Sequence, residues 1–200
     1  MQVLHASVHG EKAPILPILE QLKNDTSKYV LKSLSNNLND ISKDHPELVI
    51  EGCKRWIKEE PSLRPVLKHA LRSLLKSGNV QALQMFEFDR NMAYSEVEFW
   101  LDKNKIKIGE SLQMYLSFKA PIQQSVRIEY RIRYPRPSQK FTTKLFFWTE
   151  LSTRFSEEVN VKKKHSFIDR SIRKHFPGDY TIQVFINSNL VESCELTVWM

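Results

Sequence analysis

"SKYVLKSLSNNLNDISK", residues 27–43, decides the fold of the first half of the chain. Val30, Leu31, Leu34, Leu38 and Ile41 recur at the 3.6-residue spacing of one helical face. The rest of the stretch is rich in Asn and Asp, poor helix formers whose short polar groups compete for backbone hydrogen bonds. A solvated face would ordinarily carry Lys and Glu. Two readings are open for the run that continues to Glu47. It is a capped turn between two helices, or its Asn and Asp side chains have a task of their own.

The same period extends to both sides. Residues 14–24 (PILPILEQLKN) start with Pro, which suits a first helical turn. Residues 45–58 place Pro46 and Glu47 in the first turn of a helix that buries Leu48, Val49, Cys53, Trp56 and Ile57. Residues 62–76 open on Ser62 as N-cap and stop at Gly78, with a stripe of Val66, Leu67, Ala70, Leu71, Leu74 and Leu75. A short helix follows at 79–85. Connections of a few residues make successive helices antiparallel neighbours, the unit of helical solenoids. Two or so pairs are fewer than the three or so repeats a solenoid usually needs. The expectation is therefore the tail of a longer helical stack, capped by a second domain.

From about residue 95 the period becomes two. Strands are predicted near 96–102, 112–119, 125–134, 140–149, 157–162, 180–187 and 190–198. Turn signals part them at Gly109, Pro121, Pro135-Arg136-Pro137, Pro177-Gly178-Asp179 and Asn187-Ser188-Asn189. Seven short strands in this span have the rhythm of an immunoglobulin-like sandwich, without the paired cysteines of antibody domains. The fold class is thus multidomain α and β. A short helical repeat segment over 1–90 precedes a β-sandwich over 95–200, with a polar linker at 88–94.

Composition excludes several classes. No run approaches the ~20 apolar residues of a membrane span, and the first residues lack the apolar stretch of a secretory signal. Cys53 and Cys194 form no CxxC, which argues for a reducing, cytoplasmic setting and against a disulfide framework or zinc site. The net charge of +7 is uneven: residues 91–200 carry 17 Lys and Arg against 12 Asp and Glu. Such an excess attracts polyanions, nucleic acid first among them.

The candidate chemistry lies on two helices. Tyr29, Ser33, Asn37, Asp40 and Asp44 fall on one strip beside the apolar face of the 27–43 helix. Asp40 is the carboxylate inside the helix body, and at a groove edge it can stabilise positive charge on a sugar or position a water. The local reading has Asp44 capping the next helix and the Asn side chains bonding backbone. On the later helix Arg64, Lys68, Arg72 and Lys76 recur every four residues, a cationic stripe that a phosphate backbone can follow, with His69 at its edge. Lys54, Arg55 and Lys58 add charge nearby. A solvated helix face has the same look.

Residues 162–175 (KKKHSFIDRSIRKH) are read as a long basic loop or edge between strands. His165 and His175 have no ligand set around them, and His5 and His9 have no third ligand, so no metal is expected. There is no Gly-rich phosphate loop, GxSxG or HExxH, and no cofactor is predicted. Trp56, Trp100, Trp148 and Trp199 sit in apolar runs and are read as core.

"LPILEQLKNDTSKYVLKSLSNNLNDISKDHPELVIEGCKRW" and "LKHALRSLLKSGNVQAL" resemble the closing helical repeats of the HEAT-like-repeat alkylpurine DNA glycosylases of the AlkC type. "KKHSFIDRSIRKHFPGDYTIQVFINSN" is similar to the C-terminal immunoglobulin-like domain that some of them carry. The resemblance implies binding of duplex DNA with alkylated bases and excision of N3-methylated purines, chiefly 3-methyladenine, without base flipping. It matches Asp40, in NLND, to a catalytic aspartate. It matches Arg72 and its stripe of Arg64, Lys68 and Lys76 to the DNA-facing helix; Ser33 and Asn37 on the strip and Lys54 nearby complete the candidate DNA-binding residues. Family members have further repeats ahead of the point matched by Met1, so the expectation is an N-terminally truncated relative that is incomplete as an enzyme. The alternative is a non-catalytic protein-interaction module with an immunoglobulin-like domain.

Overall fold

A computed structural model describes residues 15–137, 140–169 and 174–200. His5 and His9, and residues 170–173 of the basic run, lie outside these. The chain divides into two compact units that part between Phe86 and Glu87.

The first unit holds α1 (Ile15–Leu22), α2 (Lys28–Asp44), α3 (Pro46–Glu59), α4 (Arg64–Ala70), α5 (Arg72–Lys76) and α6 (Val80–Met85). Pro46 starts α3 with Glu47 in the first turn, where the helix dipole favours a negative charge. His45 holds the position before it, so Asp44 is the last residue of α2 and not the cap of α3. Gly78 ends α5 with φ +74°. Asn79 N–H bonds Leu74 O at 2.9 Å and Gly78 N–H bonds Leu75 O at 3.1 Å, the Schellman closure that a left-handed residue permits. Asn79 Oδ1 then caps α6 through Ala82 N–H at 2.9 Å.

The core of this unit forms where α2 packs on α3, α4 and α5. Leu34, Leu38 and Ile41 meet Val49, Ile50, Cys53, Trp56, Leu67, Ala70, Leu71 and Leu75, all buried. On α3 the expected Val49, Cys53 and Trp56 are buried and Ile50 joins them, while the expected Leu48 and Ile57 are only half-buried. Glu20 of α1 accepts from Trp56 Nε1 at 2.7 Å and pairs with Arg55, which fastens α1 to α3.

The second unit is a sandwich of two sheets. Its strands are β1 (Ser95–Leu101), β2 (Lys105–Lys107), β3 (Ser111–Ala120), β4 (Ser125–Pro135), β5 (Phe141–Ser152), β6 (Glu157–Ser166), β7 (Gly178–Ile186) and β8 (Asn189–Trp199). One sheet runs β1-β3-β6 and the other β2-β8-β7-β4-β5. Alternate residues point inward: Leu112, Met114, Leu116 and Phe118 from β3 face Val126, Ile128, Tyr130 and Ile132 from β4.

Three expectations change here. An eighth strand, Lys105–Lys107, pairs parallel with Thr197–Trp199; at three residues it is too short for alternation to reveal it. The basic run begins as strand: Lys162 to Ser166 continue β6 in register with β3, and His165 turns inward to meet Tyr130 Oη at 2.9 Å through Nδ1. Trp56 and Trp148 are core, but Trp100 is 43% and Trp199 51% exposed. Trp100 stacks on Tyr115 with centroids 5.2 Å apart. Both tryptophans lie on outward positions of their strands, which an apolar run cannot distinguish from inward ones.

Candidate nucleic-acid interface

The packed face of α2 is less apolar than its spacing predicts. Ser35, Asn39 and Ser42 are buried with the leucines. Ser35 Oγ donates to Lys32 O at 2.9 Å and Ser42 Oγ to Asn39 O at 2.8 Å, so each hydroxyl is satisfied within its own helix. Asn37 Nδ2 donates to Ser33 O at 2.9 Å in the same way. Asn39 differs: its Oδ1 leaves the helix and accepts from Ser73 N–H at 3.2 Å.

That bond coincides with a break. Residues 62–76 are not one helix. A 3-10 turn over Pro61–Leu63 leads into α4, which ends at Ala70, and α5 starts at Arg72. Leu71 lies between them with φ −93° and ψ 11°. In a continuous helix Ser73 N–H would bond His69 O. Here it goes to Asn39, and a side chain inserted into the ladder is a recognised cause of a kink. Arg72 Nη1 folds back and donates to His69 O at 2.8 Å.

The basic stripe has different neighbours on the two sides of the break. Arg64 and Lys68, before it, sit over the Phe86 ring at 5.4 and 5.2 Å from its centroid. Arg72, after it, comes close enough to Asp40 to help hold that carboxyl below its ordinary value. Lys43 is the larger cause of that depression, through a hydrogen bond from Nζ to Oδ1 at 2.7 Å. Burial, and then the charges of Arg72 and Lys32, push the His69 imidazole down, so Lys32, His69 and Arg72 share one neighbourhood.

The result is an exposed carboxylate ion-paired with Lys43 of its own helix, with the charge of Arg72 on α5 acting on it at longer range. Ser33 is exposed and Asn37 half-buried on the same helix, where Tyr29 is 83% exposed. Lys76 is exposed at the end of α5 and Lys54 is exposed on α3. Sequence reading singled out Asp40 and Arg72 but not Asn39, Lys32 or Lys43. The Asp40–Lys43 spacing of three was the available signal. Among the described residues no group of three or more His, Cys, Asp or Glu could hold a metal ion. No described helix is long and apolar enough to cross a membrane.

Comparison with known proteins bears on both units. The family described as "Uncharacterised protein YhaZ, C-terminal Ig-like domain" matches residues 95–200. The chain is 36% identical over 192 residues to the uncharacterized protein YhaZ of Bacillus subtilis (strain 168), across 96% of this chain and 54% of that protein. A solved structure of the Pseudomonas fluorescens alkylpurine DNA glycosylase AlkC, bound to DNA containing an abasic site analogue, is similar with a TM-score of 0.84 and 31% identity. That match covers 93% of this chain and 52% of AlkC. The chain spans about half the length of the relatives it matches.

Proposed function

Because this chain belongs to the family of the YhaZ C-terminal Ig-like domain, we propose that it is a DNA-binding protein of alkylation repair, acting in the cytoplasm on duplex DNA with alkylated bases. The helical unit, expected over 1–90 and described from Ile15 to Phe86, is its HEAT-like segment and presents the DNA-facing groups. The likeness to AlkC supports the repair-like assignment. The observation that carries the site is the juxtaposition of Asp40 with Lys43 and Arg72.

The chemistry follows from charge. A purine methylated at N3 is cationic, and its glycosidic bond breaks to release a neutral base and leave positive character on the deoxyribose. An ionised carboxylate beside the sugar stabilises that charge, and it can accept the proton lost when water adds at C1′. Arg72 and Lys43 bind phosphates on either side and fix the strand so that Asp40 faces the sugar. Asp40 is ionised at neutral pH as an ordinary aspartate is, and Lys43 lowers its pKa further. We take 3-methyladenine as the lesion on the resemblance to the AlkC-type glycosylases, which excise N3-methylated purines.

The test compares duplexes with and without a cationic abasic-site mimic. The wild-type chain is expected to favour the mimic, and Asp40→Asn to lose roughly tenfold of that preference, about 1.4 kcal/mol. Release of 3-methyladenine from methylated duplex is measured alongside. Equal preference and equal release by Asp40→Asn would remove Asp40 from the chemistry.

A further inference from the structure

We propose that Asn39 is a positioning residue: by taking the Ser73 N–H it holds the α4–α5 break open, and the break aims Arg72 at Asp40. The inference deepens the DNA-binding reading and rests on it for its role in function.

Asn39 is 2% exposed in the middle of a long helix, where Asn is a poor choice and a buried amide is costly unless bonded. Its neighbours Ser35 and Ser42 spend their hydroxyls on carbonyls of α2. Asn39 spends its oxygen on another helix, at the position where the backbone ladder of that helix is interrupted. Diverting the Ser73 N–H leaves the His69 carbonyl open to a different donor. The donor is the Arg72 guanidinium, at 2.8 Å. Arg72 is thereby tethered to the end of α4. A continuous helix would return His69 O to Ser73 N–H, remove this tether, and carry Arg72 on with the Arg64–Lys68 row. Asn39 also directly precedes Asp40 in α2, so the bond to Ser73 ties the backbone at Asp40 to α5. One buried amide thus joins the α2 backbone beside Asp40 to the turn that tethers Arg72, two side chains that water and side-chain entropy would otherwise leave loosely placed.

The experiment uses the full chain, with Asn39→Leu and with Asn39→Ala where the larger side chain prevents folding. The Asp40 carboxyl is titrated by carbon-13 NMR without DNA, and the salt dependence of duplex binding is measured with and without Arg72→Gln. In the wild type, Arg72→Gln is expected to raise the Asp40 titration midpoint and to lower the log–log salt slope by about one. In the Asn39 variants the midpoint is already raised and Arg72→Gln changes neither quantity further. Asn39→Asp, which keeps an oxygen for Ser73, restores the dependence of the slope on Arg72. A merely structural role lowers the melting temperature but leaves the Asp40 midpoint and the effect of Arg72→Gln as in the wild type, and that result overturns the proposal. Absence of DNA binding would defeat the functional reading alone, because the Asp40 titration reports on Asn39 without DNA.

Discussion

The Asp40 carboxylate accepts from Lys43 Nζ at 2.7 Å, one turn further along α2, with both side chains mostly in water. Exposed pairs of this kind contribute little to stability, typically below about 1 kcal/mol. Lys43→Ala is therefore expected to leave the urea midpoint nearly unchanged while raising the Asp40 titration. A large loss of stability would mean that Lys43 is structural and not part of a DNA face.

The depressed Asp40 pKa fixes a pH window. A carboxyl whose folded pKa lies below its unfolded value contributes stability above the unfolded value and loses it as pH falls through the folded one. The same sign governs function. Preference for a cationic abasic mimic should be flat through the neutral range and decline only as pH falls to or below the ordinary carboxylate range. A decline centred near neutrality would point to His69 or another group in place of Asp40.

Burial pushes the Cys53 thiol up to about 12. Its thiolate is then scarce at pH 8, and the sulfur is closed to reagent. Cys53 is expected to resist a disulfide-exchange reagent in the native state and to react at once in denaturant. Fast native labelling of Cys53 would show that α3 opens readily.

In the sandwich, Arg127 is buried with Glu129 at 2.7 Å and reaches Glu150 at 2.6 Å. Removing Arg127 strands Glu129, buried at 1% exposure, without that partner, at a cost of roughly 3–5 kcal/mol. Arg127→Leu is expected to lower unfolding free energy on that scale in a urea titration, and Glu129→Leu by less, because Glu150 still pairs with Arg127. Equal costs for the two variants would show that Glu150 does not compensate Arg127.

Much of this architecture was legible in the sequence because periodicity reports burial. The 3.6-residue spacing of Leu34, Leu38 and Ile41 and the alternation from Leu112 to Phe118 each correspond to a buried face. Less visible was what depends on one side chain reaching another helix. The stripe Arg64–Lys68–Arg72–Lys76 is regular in sequence, yet Asn39 breaks its helix from outside, and Arg72 and Arg64 meet different neighbours. Spacing within a segment cannot register a bond made thirty-four residues away. Strand β2 escaped for a different reason: Ile106 is the inward residue of a three-residue pair, and a single residue has no period.

The most direct measurement is the affinity for a duplex carrying an abasic-site analogue over a salt series, for the wild-type chain and for Arg72→Gln. The wild type should give a steep negative log–log slope, and Arg72→Gln should be shallower by about one phosphate contact. A slope near zero, or one that Arg72→Gln leaves unchanged, would contradict a DNA-binding face built on Asp40, Lys43 and Arg72.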